Sequence, residues 1–193
     1  MKQFKGYDKV QATIEREQLP KGAYICIIKN AEVKEYKGQN GDFEKFEVAI
    51  DIAEGEYKDF YANDYRMQQS EDKKWRGVLR QYLPKDDGSE KDEWAKSAFK
   101  ALIIAIEESN EGFHWDWDES KLKGLKVGCL FRNEEWEFDG RNGWTVRPFK
   151  FIEAERVKNG KFRMPNDKPL NNKSVSDNKN SIDISMADED LPF

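Results

Sequence analysis

Apolar and polar positions alternate most clearly from Phe43 to Ala53. Phe46, Val48, Ile50 and Ile52 fall on one side; Lys45, Glu47, Ala49 and Asp51 fall on the other. A period of two predicts a strand with one buried face, and Glu54-Gly55 breaks it. Upstream, Gly22–Glu35 reads as a strand: Ala23–Ile28 is apolar and partly β-branched, and Pro20-Lys21-Gly22 marks its start. Between the two, Tyr36–Gly41 carries the glycines and Asn of a tight hairpin connection. The aromatic-rich run Phe60–Met67 reads as a third strand.

The period then changes. Trp75, Val78, Leu79 and Tyr82 are spaced i, i+3, i+4, i+7, which predicts a short amphipathic helix closed by Pro84. A second, longer helix follows the loop Asp86–Ser89. Its apolar stripe is Trp94, Ala98, Phe99, Leu102, Ile103 and Ile106, read as core. Ser89 or Asp92 would cap its start, and Asn110-Glu111-Gly112 would end it. His114-Trp115-Asp116-Trp117 reads as a connection with packed indoles. Leu125–Phe138 is a strand pattern, Asp139–Gly143 a turn, and Trp144–Arg156 a last strand, where Pro148 marks an edge or a bulge. Lys158–Phe162 forms a final small turn. The expectation is a mainly β domain with three strands, a helical segment and two strands. That is the element order of the five-stranded OB-fold, a Greek-key barrel, here with one or two helices between strands 3 and 4. Other three-plus-two β proteins share the order.

Composition narrows the function classes. The 193 residues include six Trp, seven Tyr and twelve Phe, enough for an aromatic surface as well as a core. Cys26 and Cys129 are the only cysteines and His114 the only histidine, so neither a disulfide framework nor a structural zinc site is expected. The two cysteines read as small buried apolar residues. MKQFKGYDKVQ lacks the apolar run of a signal peptide, and no segment is long enough to span a membrane. A cytoplasmic location is expected. There is no phosphate-cradling Gly-Lys-Ser/Thr loop and no second histidine, and the acids Asp59, Asp64 and Glu71 have no nuclease spacing. The chain is therefore read as not an enzyme, with no catalytic residues, no metal and no cofactor.

The formal net charge is −5. Segment 167–193 holds six acids and three lysines and carries −3, leaving −2 for 1–166. Such a balance argues against a broad duplex-DNA surface, but leaves room for a local basic groove. From about Asp167 to Met186 the residues are mostly Asn, Lys, Ser and Asp, too polar to offset their ordering entropy. The expected organisation is a domain over 1–166 and a disordered acidic tail over 167–193. The tail closes on Asp188-Glu189-Asp190-Leu191-Pro192-Phe193. Acids beside an apolar Leu-Pro-Phe and a carboxylate suit a partner with a basic-rimmed apolar pocket.

That hexapeptide, after a polar tail, resembles the C-terminal tip of bacterial and phage single-stranded DNA-binding proteins. The body resembles proteins of phages and mobile elements of Gram-positive bacteria at Lys73–Gly77, His114–Asp118 and Arg132–Trp136. The resemblance implies an OB-fold that coats single-stranded DNA without strong sequence preference. It also implies a tip, Asp188 to Phe193, that recruits replication, recombination or repair proteins. Self-association would fit the family, although the sequence carries no interface signature. The competing reading is an adaptor that keeps the tip and binds no DNA.

OB-folds hold single strands on the face of strands 2 and 3, flanked by the loops between strands 1–2 and 4–5. Mapped here, the candidates are Tyr36 and Lys37 in the first loop, Phe43 and Lys45 on strand 2, and Tyr61, Tyr65 and Arg66 on strand 3. The last hairpin adds Trp136, Arg141, Trp144 and Arg147, and Lys73, Lys74, Trp75 and Arg76 form the densest basic cluster of the body. Rings stack on bases and cations meet phosphates. Structural readings stand beside these: Trp136 and Trp144 as a cross-strand pair, Tyr61 and Tyr65 as core, and the basic run as a solvated face.

Overall fold

Five antiparallel strands form one sheet in the order β3-β2-β1-β4-β5. They belong to a computed structural model that describes residues 17–38 and 41–170, together with Lys2, Phe4, Lys5 and Tyr7. The strands are β1 (Ala23–Tyr36), β2 (Phe43–Ile52), β3 (Val78–Tyr82), β4 (Lys126–Phe138) and β5 (Arg141–Ile152). Among the described residues three α-helices, α1 (Phe60–Met67), α2 (Glu90–Ser109) and α3 (Ala154–Lys158), and a 3-10 turn at Glu119–Leu122 accompany them. Among the described residues no helix is long and apolar enough to cross a membrane.

The alternation of β2 sets the core. Phe46, Val48, Ile50 and Ile52 are all buried and meet Cys26 and Ile28 of β1 and Val127, Cys129 and Phe131 of β4. Leu102, Ile103 and Ile106 of α2 pack against the same cluster. Cys26 and Cys129 are fully buried free thiols. Ser89 caps α2, its side chain accepting from the Asp92 amide at 3.2 Å. At the other end the Asn110 amide group donates to the carbonyls of Ile106 and Lys126, both at 2.7 Å, and accepts from the Lys126 amide at 3.0 Å. One side chain thereby ends the helix and starts β4.

Two segments exchange the structures expected of them. Phe60–Met67 is a helix, and the third strand is Val78–Tyr82. The reason for the helix is non-local. Asp51, fully buried on β2, accepts from the amides of Tyr61 (2.9 Å) and Ala62 (3.1 Å), which are the free donors of the first turn of α1. A distant residue does the work of an N-cap, while the helix's own Asp59 makes no side-chain cap bond. Val78–Tyr82 pairs along β2 from Val78↔Ala49 to Tyr82↔Lys45. The helix-like spacing included Trp75, which lies outside the strand and donates its indole N–H to the Ile50 carbonyl at 3.0 Å. Gly77 allows this packing: a Cβ there would lie 2.4 Å from the Tyr61 ring and 2.6 Å from the Ile50 carbonyl oxygen.

Smaller corrections follow the same logic. The last turn shrinks to Asp139-Gly140, both left-handed (φ 50° and 70°), the geometry of a two-residue hairpin loop. β5 stops at Ile152, and α3 takes over where the strand was expected to continue. Pro148 lies on this edge strand beside a register shift, as anticipated. Trp94 is 37% exposed, so the buried stripe of α2 begins at Ala95. Trp115 packs near Phe46, but Trp117 is 79% exposed with φ 68° and stacks on Phe99. The first residues of the expected tail are held by the domain. Lys168 bridges to β4 through the Asn133 carbonyl and the Glu135 amide, both at 2.8 Å, and Asp167 pairs with Lys21 at 2.6 Å.

Candidate functional site

The face of β1–β2–β3 turned away from the core is built from the odd partners of the buried rows. Register places Tyr36 opposite Phe43, Lys34 opposite Lys45, Lys45 opposite Tyr82, and Glu47 opposite both Glu32 and Arg80. Opposite residues share a face, so the rings and charges converge. Tyr36 and Phe43 stack at 5.5 Å with planes 7° apart, and Phe43 meets Tyr82 at 5.6 Å. The Lys45 ammonium sits 4.2 Å from the Tyr82 ring centre, 5.4 Å from Tyr36 and 5.6 Å from Phe43, a cation held over three rings.

Further along the same face is a groove of about 530 Å³. Tyr65 and Trp75 form one part of its lining, and Lys29, Lys34, Lys74 and Arg80 bring four cations against the carboxylates of Glu32 and Glu47. Lys29 is there because a bulge between Ile28 and Asn30 makes it an extra residue in β1. Tyr65 reaches the groove from α1 and lies 5.9 Å from Trp75. A chain carrying −5 overall thus gathers an excess of cations and rings in one concavity.

Glu47 is the electrostatic centre. It is 5% exposed and accepts from Arg80 Nε at 2.6 Å, from Lys34 Nζ at 3.1 Å, and from the Tyr36 hydroxyl. Burial pushes its carboxyl up, but hydrogen bonds from Tyr36, Arg80 and Lys34 outweigh that and hold it down at about 2. The partners respond in turn. Bonds to Glu32 and then Glu47 raise the Lys34 ammonium. Burial and then the bond to Glu47 raise the Tyr36 phenol.

The sequence-derived candidates divide as follows. Tyr36, Phe43 and Lys45 lie together on the outer face, and Tyr65, Lys74 and Trp75 line the groove. Lys73 lies over the Tyr65 ring at 5.8 Å and donates to the Arg66 carbonyl at 3.2 Å. Arg66 donates to Asn63, and Arg76 pairs with Asp64 at 3.1 Å. Lys37 is exposed just past β1. Tyr61 is 4% exposed and belongs to the core, which takes it out of any surface. Trp136, Arg141, Trp144 and Arg147 sit on the β4–β5 hairpin. Trp136 pairs with Gly143 and Trp144 with Glu135, so the two indoles occupy adjacent rows that face opposite ways. They are therefore not a cross-strand pair. Trp136 covers Gly143 instead, where a Cβ would lie 3.1 Å from the indole. Arg147 is 3.8 Å from Glu134.

Lys29, Lys34, Arg80 and Tyr82 belong to the site although the sequence reading did not name them. The outward row of β1 carries Lys34 and was open to being read, but Arg80 and Tyr82 lay in a segment that looked helical. The hexapeptide Asp188–Phe193 lies outside the described residues. Among the described residues no group of three or more His, Cys, Asp or Glu converges as a metal site. No protein-family model matches this sequence, and the search of curated proteins returns no match.

Proposed function

We propose that the domain binds single-stranded DNA, with little sequence preference, along the outer face of β1–β2–β3. The observation that carries this reading is the groove where Tyr65 and Trp75 meet Lys29, Lys34, Lys74 and Arg80, continued by the Tyr36–Phe43–Tyr82 cluster under Lys45. Stacking surfaces plus cations are what sequence-tolerant single-strand binding requires. In this reading the sheet is an OB-fold-like barrel left open between β3 and β5, and the β4–β5 hairpin with Trp136, Trp144, Arg141 and Arg147 is a flanking arm. The resemblance to phage and mobile-element single-stranded DNA-binding proteins points to replication, recombination or repair. There Asp188–Phe193 would recruit partner proteins, from a chain that is cytoplasmic and has no catalytic activity of its own.

Titration with oligo-dT tests this, followed by tryptophan fluorescence at low salt and at about 0.2 M, a range over which phosphate contacts weaken. Saturable, salt-sensitive quenching is the expected outcome. Absence of binding at both salts would leave the second reading, an adaptor acting through its C-terminal tip. The charge of −2 on residues 1–166 is what favours that alternative.

A further inference from the structure

A carboxylate at the centre of a groove for a polyanion is out of place on charge alone. Glu47 is also nearly inaccessible, and glutamate is almost never buried unless paired. Its three partners come from both neighbouring strands: Lys34 and Tyr36 from β1, Arg80 from β3. Lys34 and Arg80 each remain nearly half exposed and line the groove. Arg80 meets Glu47 through Nε and also neighbours the Tyr36 hydroxyl, and the exposed part of its guanidinium is what it has to offer a phosphate. The Tyr36 hydroxyl bond also fixes the ring that lies flat on Phe43.

We propose that Glu47 is the positioning residue of this groove, holding Arg80 and Lys34 on either side of β2 and Tyr36 against Phe43, so that an extended single strand meets cations and a stacking ring already in place. The proposal rests on the single-strand reading above. Its logic is that long cationic side chains lose much rotamer freedom on binding, and a partner that orders them beforehand removes that loss. Glu47 touches no phosphate itself; it acts through its neighbours.

The sign of one substitution decides the matter. If Glu47 acts only as a charge, Glu47→Gln removes a repulsion and tightens binding of oligo-dT. If Glu47 positions its neighbours, the same change weakens it. The expected result is a loss of about fivefold at low salt, with a salt slope shallower by about one. Arg80→Lys keeps the charge and loses the guanidinium; it should weaken binding by a comparable factor. In an Arg80→Ala background, Glu47→Gln should cost less than it does alone, because only Lys34 and Tyr36 remain for it to hold. Thermal melts accompany each variant, and the exposed Arg80→Lys gives the readout if Glu47→Gln melts early. Glu47→Gln binding as tightly as the unaltered protein or more tightly, or Arg80→Lys binding unchanged, overturns the positioning role while leaving the single-strand reading intact. Failure of the unaltered protein to bind oligo-dT overturns both.

Discussion

The groove on β1–β2–β3 and the β4–β5 hairpin both mix rings with cations, but they hold them differently. On the outer face, Lys45 lies over three rings beside the groove, and within the groove Arg80 and Lys34 share Glu47 and Trp75 is pinned to the Ile50 carbonyl. On the hairpin, Trp144 is 45% exposed and Phe138 78%, and Arg147 lies 3.8 Å from Glu134. The rings and cations of the outer face already have partners, whereas Trp144 and Phe138 of the hairpin stand exposed. Ordering costs roughly 0.5–1.5 kcal/mol per long side chain, so equal contacts should contribute unequal affinity. Residue composition alone does not separate the two regions; their existing contacts do.

The largest break is expected at Asp51. Asp51→Ala strips the donors of Tyr61 and Ala62 at the start of α1 of their buried acceptor. Loss of a buried cap and its volume should cost about 2–3 kcal/mol, read as a lower denaturant midpoint. Because α1 carries Tyr65, oligo-dT affinity should fall too, with the hairpin untouched. Acid comes next. The Glu47 carboxyl is held at about 2 against an ordinary 4.5, so its contribution is complete above about pH 4.5 and fades as pH falls toward 2. With Lys34 and Arg80 nearly half exposed, that contribution is on the order of 2 kcal/mol. Glu47→Gln should flatten the stability curve over that window, and an unchanged curve would remove Glu47 from the account.

Affinity changes are smaller. Arg80→Ala should weaken oligo-dT binding about tenfold and reduce the salt slope by about one. Trp144→Ala should weaken it by about threefold, since part of its stacking energy goes into ordering the ring. A hairpin substitution that costs more than Arg80→Ala would reverse the comparison and move the main contact surface to β4–β5.

How much of this the sequence disclosed depends on whether the determinant was local. Strand β2 and the core face Phe46–Ile52 were legible because alternation is a nearest-neighbour signal. Helix α2 was legible from its i, i+3, i+4 stripe, with its cap narrowed to Ser89 or Asp92, of which Ser89 is the one used. The exchange between Phe60–Met67 and Val78–Tyr82 was not. What caps the first as a helix is Asp51, ten residues upstream of Tyr61 and on strand β2. The five-residue β3 is defined by pairing with β2 and carries too short an alternation to compete with the accidental spacing of Trp75. The outward ring-and-cation row of β2 was therefore found, while Arg80 and Tyr82 across from it were hidden by the misread segment. Glu47 was visible as an outward residue, but its role needed the two neighbouring strands.

The strand order has a consequence for synthesis. β1 sits between β2 and β4, yet β4 begins at Lys126, about a hundred residues after β1 begins at Ala23. The hairpin β1–β2 leaves the ribosome first, with one side of β1 bare. At roughly 5–20 residues per second, β4 arrives on the order of ten seconds later. Through that interval the backbone donors and acceptors from Ala23 to Ile27, which later pair with Lys126 to Leu130, form an open template for a second nascent chain.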